Sequence, residues 1–307
     1  MLSLQQLVAK ELATSVKPEI TNFAQAIAAA YPKAACAVLF YGSCLRSEVL
    51  TNEMLDFYLI VSDYDDAYDK AWLAKWNRRL PPNVFPFEHN GLIAKVAVLS
   101  EADFHNLNRP AASAVSVWAR FSQPSRLVWV RDEKTRGKII LSISGAAPAL
   151  LNAALSQLER EVGVIDLWQS GYAMTYGAEL RAERKDRPAS VVEYDNERYE
   201  TFGYAALHHT MIPNEVRGGR VYLRPDPEQR AKKERARWPG LKRRGKILTI
   251  ARLAKAAFTY TGGIDYLAWK VNRHAGTKIN VKPWQRKWPL VAAMFLVPKL
   301  LIKGAVR

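Results

Sequence analysis

The run Ala35-Cys36-Ala37-Val38-Leu39-Phe40-Tyr41 stops abruptly at Gly42-Ser43, and a second apolar run, Leu55 to Val61, begins one loop later with Asp56 near its start. A short apolar run closed by a glycine reads as a buried strand entering a tight turn, because glycine reaches backbone angles that other residues avoid. A third run, Leu92 to Leu99, follows the Pro81-Pro82 break, and Arg126 to Arg131 has the pattern of a fourth strand. Leu2 to Ala30 ahead of them is helical in pattern. The first half therefore mixes helices and strands, and the predicted class is α+β.

From Pro148 to about Leu180 the period changes, with Leu151, Leu155, Leu158, Val162 and Ile165 at three-to-four-residue spacing. This predicts a second, mainly helical unit. Arg217 to Gly240 is rich in Pro, Gly and charge and reads as an exposed loop or linker. Beyond it Ile247, Ile250, Ala251, Ala254, Ala257 and Phe258 share one helical face, while Lys242, Arg243, Arg244, Lys246, Arg252 and Lys255 crowd the others. The expected organisation is residues 1–145, 146–240 with the linker, and 241–307 as basic C-terminal helices.

Charge is distributed unevenly. Residues 217–307 hold 23 Lys+Arg against 4 Asp+Glu, whereas the preceding residues hold 22 against 25. A nearly neutral body with a basic last third points to an anionic surface, either nucleic acid or lipid. Trp284 and Trp288, with Lys287, Lys299 and Lys303 around a short apolar patch, suit the headgroup region of a bilayer. The run Pro289 to Pro298 falls far short of the roughly 20 apolar residues that span a membrane. A peripheral position on the cytoplasmic face of a membrane is the expectation.

The remaining bulk properties exclude several classes. A hydrophobic content of 49% excludes wholesale disorder. Cys36 and Cys44 are the only cysteines, with no CxxC pair, so neither a disulfide framework nor a structural zinc site is indicated and a reducing compartment fits. The first 45 residues lack arginine and contain Glu11 and Glu19, which reads as an amphipathic helix instead of a secretory signal or presequence.

A strand ending in Gly-Ser, followed by a strand that opens with an acidic residue, is the layout of the polymerase-beta-like nucleotidyltransferase core. Here it reads Phe40-Tyr41-Gly42-Ser43-Cys44, then Met54-Leu55-Asp56-Phe57-Tyr58. Glycine lets a triphosphate approach closely, the serine hydroxyl can donate to phosphate oxygens or cap the next helix, and an aspartate at a strand start can hold Mg²⁺. The superfamily usually carries a second acidic residue two positions on, where this chain has Tyr58.

Further blocks in order resemble one branch of that superfamily, the mitochondrial-type phosphatidate cytidylyltransferases that make CDP-diacylglycerol. Tyr41-Gly42-Ser43 with Met54-Leu55-Asp56-Phe57, the strand Ile93 to Ser100 with its Lys95, the block Tyr176-Gly177-Ala178-Glu179-Leu180-Arg181, and the stretch Lys255 to Gly276 are each similar to elements of that family. The branch too has a non-acidic residue at the position of Tyr58. Departures are Cys44 in place of a second glycine, Glu179 in place of aspartate, and no clear histidine-bearing element after the second strand.

The resemblance implies CTP and phosphatidate, or a related lipid phosphate, as substrates with Mg²⁺ as cofactor. It assigns Asp56 and Lys95 to catalysis, Asp56 also to the metal, and Tyr41, Gly42 and Ser43 to the nucleotide. Tyr176, Glu179 and Arg181 fall to the acceptor, although a structural ion pair serves Glu179 and Arg181 equally well. Lys95 either faces inward, where it needs an anionic partner such as the triphosphate or Asp56, or faces solvent. Asp63, Asp65, Asp66 and Asp69 read as solvated loop charge, one of which could supply a second metal carboxylate, and Glu88 has the same standing. Adjacent His208 and His209 receive no catalytic role, and the four-residue spacing of Trp72 and Trp76 suggests packing. The competing readings are a nucleotidyltransferase acting on RNA or protein, against which the apolar content of the last third argues, and an inactive membrane-bound scaffold.

Overall fold

The computed structural model describes residues 2–47, 49–50, 53–179, 191–225, 229–259 and 280–283. Helix α1 (Leu4–Leu12) begins in a capping box, in which the Ser3 hydroxyl accepts the Gln6 amide and the Gln6 side chain accepts the Ser3 amide. Helix α2 (Pro18–Ala29) starts on a proline, whose missing N–H costs nothing in a first turn. It buries Ile20, Phe23, Ala24 and Ile27 on one face.

Five strands follow: β1 (Ala35–Tyr41), β2 (Met54–Val61), β3 (Asn83–His89), β4 (Leu92–Ser100) and β5 (Ser125–Val130). They form one sheet in the order β3-β4-β2-β1-β5, with β2 and β4 parallel and the other neighbours antiparallel. Strand β3 is absent from the sequence-based expectation. Its apolar alternation is interrupted by Pro86, which an edge strand tolerates because one side of its backbone needs no ladder partner.

The two-residue period of the strands separates the side chains into two layers. Phe40, Phe57 and Val96, with Val38, Leu59 and Val98, pack against α2, where Phe23 stacks on Phe57 at 5.3 Å. Leu39, Tyr58 and Ala97, with Ala37, Ile60 and Leu99, turn to the opposite face. That face meets helices α7 (Ser116–Phe121), α9 (Ala146–Ser156), α10 (Val164–Ala178) and α11 (Asn196–Leu207), whose Leu150, Leu151, Trp168, Tyr172 and Tyr199 are buried in the same cluster. Sheet and helical unit thus share one continuous core.

Among the described residues one helical stretch, Glu133–Ser156, is long and apolar enough to cross a membrane, but 83% of its most apolar window is buried inside the protein. It comprises α8 (Glu133–Ile143) and α9, which supply core residues.

Residues 217–223 and 230–240 lie in a hairpin and a helix, which corrects the reading of this stretch as an exposed loop or linker. Strands β7 (Asn214–Arg217) and β8 (Arg220–Leu223) make a hairpin across Gly218-Gly219, both at positive φ as a tight two-residue hairpin turn requires. With β6 (Val162–Gly163) they form a small second sheet. Helix α12 (Arg230–Thr259) then runs unbroken through Pro239 and position 240.

This helix docks through its cations. Arg235 donates to the Ser156 carbonyl at 2.7 Å, and Arg237 donates to the carbonyls of Pro110, at 2.8 Å, and Ala112. Gly245 sits so close to α10 that a Cβ there would lie 2.3 Å from the Ala178 carbonyl oxygen. In a solvent-facing helix, Gly→Ala gains up to about 1 kcal/mol. Here backbone cannot yield, so Gly245→Ala is expected to lower unfolding free energy by about 1–3 kcal/mol in denaturant titration.

Candidate active site

Register places Tyr41 opposite Asp56 and Asp56 opposite Lys95, so three adjacent strands contribute one row of side chains to one face of the sheet. The Lys95 Nζ lies 2.8 Å from Asp56 Oδ1, with the two side chains 25% and 22% exposed. The lysine therefore takes the inward alternative, with Asp56 as partner. Ser125, buried on β5, extends the row on the far side of Tyr41.

Gly42 follows Tyr41 at φ +93°, and a Cβ there would come within 2.9 Å of Asp56 Oδ2. Both its conformation and the carboxylate beneath it demand glycine. Ser43, exposed, opens the short helix α3 (Ser43–Ser47). The thiol of Cys44 behind it is buried and reaches the Met54 carbonyl at 3.7 Å, joining α3 to the start of β2. Burial first, then the carboxylates of Asp56 and Glu53, raise this thiol's pKa, so it stays protonated.

Tyr58, two residues beyond Asp56 on the same face, is 2% exposed and packs on Tyr41 at 5.3 Å and Phe121 at 5.1 Å. Its neighbour Arg120 donates to the Ser116 carbonyl at 2.6 Å and is hydrogen-bonded to Tyr41. Burial drives the Tyr41 phenol well above its ordinary pKa, and the oxygens of Asp56 and Tyr58 add to this. Burial opposes the Arg120 charge, yet Tyr58, Glu179, Tyr41 and Asp56 together hold its pKa above the usual arginine value.

The helical unit completes the wall. Glu179 at the end of α10 is 8% exposed and close enough to act electrostatically on both Arg120 and Arg252. Arg252 of α12 donates to the Pro81 carbonyl at 2.8 Å and the Ser116 hydroxyl at 3.0 Å. Burial lowers its pKa, against the opposing pull of Tyr58 and Glu179. Lys255, one turn on, donates to the carbonyls of Leu80 and, at 2.8 Å, Pro82. Arg252 and Lys255 were expected on the surface face of an interfacial helix; the backbone carbonyls of the β3 entry and the Tyr58 side of the sheet draw them inward instead.

Burial, then the Arg252 charge, lowers the Lys255 pKa to about 7. An unfolded lysine titrates near 10.4, so between about pH 7 and 10 the unfolded chain holds more protons and stability rises with pH. Denaturant titrations across that window are expected to show this rise in the native protein and to show it reduced in Lys255→Met.

Tyr176 is half-buried against the core of α10, and Arg181 lies outside the described residues. Asp63 and Asp65 pair with Arg78, and Asp63 caps helix α4 (Tyr64–Ala67) beyond the far end of β2. Strand residues Phe57–Val61 and then Ser62 lie between Asp56 and Asp63, at least about 16 Å along the chain, which keeps Asp63 from joining Asp56 in holding one metal ion. Glu88 is exposed on β3 and His208 and His209 are exposed after α11. Among the described residues no cluster of three or more His, Cys, Asp or Glu side chains could hold a metal.

No family model matches the chain, and no curated protein matches it.

The donor set still suits one kind of metal. Mg²⁺ is commonly bound by one or two carboxylates together with substrate phosphates and water. Asp56, whose Oδ2 turns toward Gly42 while Oδ1 holds Lys95, could supply one such ligand. Lys95, Arg120 and Arg252 around Asp56 and Glu179 leave an excess of positive charge suited to a polyphosphate.

Proposed function

We propose that this chain is a polymerase-beta-like nucleotidyltransferase that transfers the cytidylyl group of CTP to phosphatidate, or a related lipid phosphate, on the cytoplasmic face of a membrane. The observation that carries the reading is the cross-sheet row Tyr41–Asp56–Lys95 lying against a glycine that no other residue can replace. Gly42 lets the Asp56 carboxylate, which would hold Mg²⁺, pack against the turn at which a triphosphate would bind. A Mg²⁺ ion held by Asp56 would supply charge neutralisation for the phosphates.

An oxygen of the acceptor phosphate attacks the α-phosphorus, the bond to the β-bridging oxygen breaks, and pyrophosphate leaves. That oxygen is already anionic, so no general base is required, and positioning with charge stabilisation carries the rate. Lys95 can turn from Asp56 to a phosphate oxygen, and Arg120 and Arg252 keep the wall positive. The phenol of Tyr41, held protonated by burial, can donate but not attack.

The basic last third, together with Ile247 and Ile250, which are 59% and 44% exposed on α12, supports lipid as the acceptor. The test uses purified full-length chain, Mg²⁺, each of the four NTPs labelled at the α-phosphate, and phosphatidate vesicles. Labelled lipid is expected with CTP. No labelled lipid with any NTP, alongside tight binding to RNA, overturns the proposal.

A further inference from the structure

Helix α5 (Ala71–Arg79) is built inside out. Its inward side carries Ala74 and Asn77, both fully buried, and Asn77 donates to the Tyr68 hydroxyl and the Val98 carbonyl, each at 3.0 Å, while accepting the Asn83 amide at 2.6 Å. Its two largest apolar residues, Trp72 and Trp76, are 43% and 48% exposed. The expectation that these tryptophans pack is therefore corrected in part: the polar bonds of Asn77 fix the rotation of the helix and leave both indoles close to half exposed.

At 100° per residue Trp72, Trp76, Lys75 and Arg79 fall within one stripe of the helix, opposite Ala74 and Asn77. Lys75, Arg79 and Lys70 just before the helix are all exposed. Indoles beside basic side chains are the chemistry of an anionic membrane interface, where the ring sits at headgroup depth and the ammonium or guanidinium meets phosphate. The residues that follow α5 are those to which α12 is fastened, through Arg252 and Lys255 to the carbonyls of Leu80, Pro81 and Pro82. The exposed Ile247 and Ile250 of α12 lie within two turns of that junction.

We infer that the Trp72/Trp76 face of α5, with Lys70, Lys75 and Arg79, is a membrane-docking surface that seats the body of the protein on an anionic lipid bilayer. This rests on the membrane half of the proposed function and not on its chemistry. Together with α12 it gives two contacts on either side of one junction, so the folded body is held at the surface in a set orientation.

The experiment is flotation of the full-length chain with vesicles of phosphatidylcholine containing phosphatidylglycerol, and with phosphatidylcholine alone. Trp72→Ser/Trp76→Ser is expected to lower partition onto the anionic vesicles by about tenfold or more. Lys75→Gln and Arg79→Gln are expected to lower it by roughly fivefold each, with little change on phosphatidylcholine. Leu141→Ser, at an apolar position 52% exposed on α8, is expected to leave partition unchanged. Circular dichroism and melting matching the native chain show that the α5 variants are folded, and an exposed face predicts that they are.

Equal partition by native chain and tryptophan variants overturns the α5 surface alone and leaves the proposed function standing. A native chain that does not partition overturns the surface and the membrane half of the proposed function together. An equal loss in Leu141→Ser, or loss of single-stranded RNA binding with vesicle partition intact, also overturns it, the latter in favour of a base-stacking platform.

Discussion

Asp56→Asn is expected to reduce CDP-lipid formation by about 10³-fold or more while leaving stability within about 1 kcal/mol of the native chain. The two magnitudes differ because they come from different environments. The Asp56–Lys95 pair is 22% and 25% exposed, and ion pairs reached by solvent contribute little to folding. The same carboxylate is the one acidic group of the row and lies against Gly42, so under the proposed function it would hold the Mg²⁺ that offsets the triphosphate's charge. Lys95→Met is expected to reduce the rate as well. The double variant should lose less than the product of the two single effects, because the side chains touch. Initial rates and denaturant titrations on the same preparations check both halves. Full activity in Asp56→Asn would mean that the row is structural.

Glu11→Ala is the substitution with the largest expected effect on folding, about 3–5 kcal/mol. Arg198 of α11 donates to both carboxylate oxygens of Glu11, at 3.0 Å through Nη2, and to the Ser122 carbonyl at 3.2 Å. Its guanidinium lies over the rings of Phe202 at 4.3 Å and Tyr199 at 4.9 Å. The side chains are 8% and 12% exposed, and although burial opposes the Arg198 charge, Glu11 holds its pKa above the ordinary value. Removing the carboxylate strands a buried cation between α1, α7 and α11. With total stabilities of about 5–15 kcal/mol, the variant should melt far below the native chain. Glu11→Leu/Arg198→Leu should recover much of the loss, since two apolar side chains leave no uncompensated charge. Equal melting of Glu11→Ala and the native chain would contradict this account of the helix junction.

The sheet was readable where its residues are buried on both sides, as in Ala35–Tyr41 and Leu55–Val61, because continuous apolar runs ended by turns admit few alternatives. Period-two alternation also put Lys95 on the face of Ala97 and Leu99, although only register against β2 showed that its partner is Asp56. Edge strand β3 escaped notice because Pro86 breaks its pattern. The wall of the site was the least legible part. Arg120 sits in a short helix with no motif, and Arg252 and Lys255 look like surface charge until the carbonyls of 80–82 are placed beside them. Trp72 and Trp76 show the converse error: a helical spacing of large apolar residues indicates a face but not which way it points, and here Asn77 decided. Trp284 and Trp288, on which the tail's membrane role was argued, lie outside the described residues.

The most direct test of the nucleotidyl-transfer claim follows both ends of the triphosphate in one reaction. Native chain, Mg²⁺ and phosphatidate vesicles are incubated with CTP labelled at either the α- or the γ-phosphate, and the lipid and aqueous phases are counted. The α-label should enter the lipid in equal amount to the pyrophosphate released, with all γ-label remaining in water. γ-Label in the lipid, or α-label confined to water with the nucleotide intact, would contradict the account.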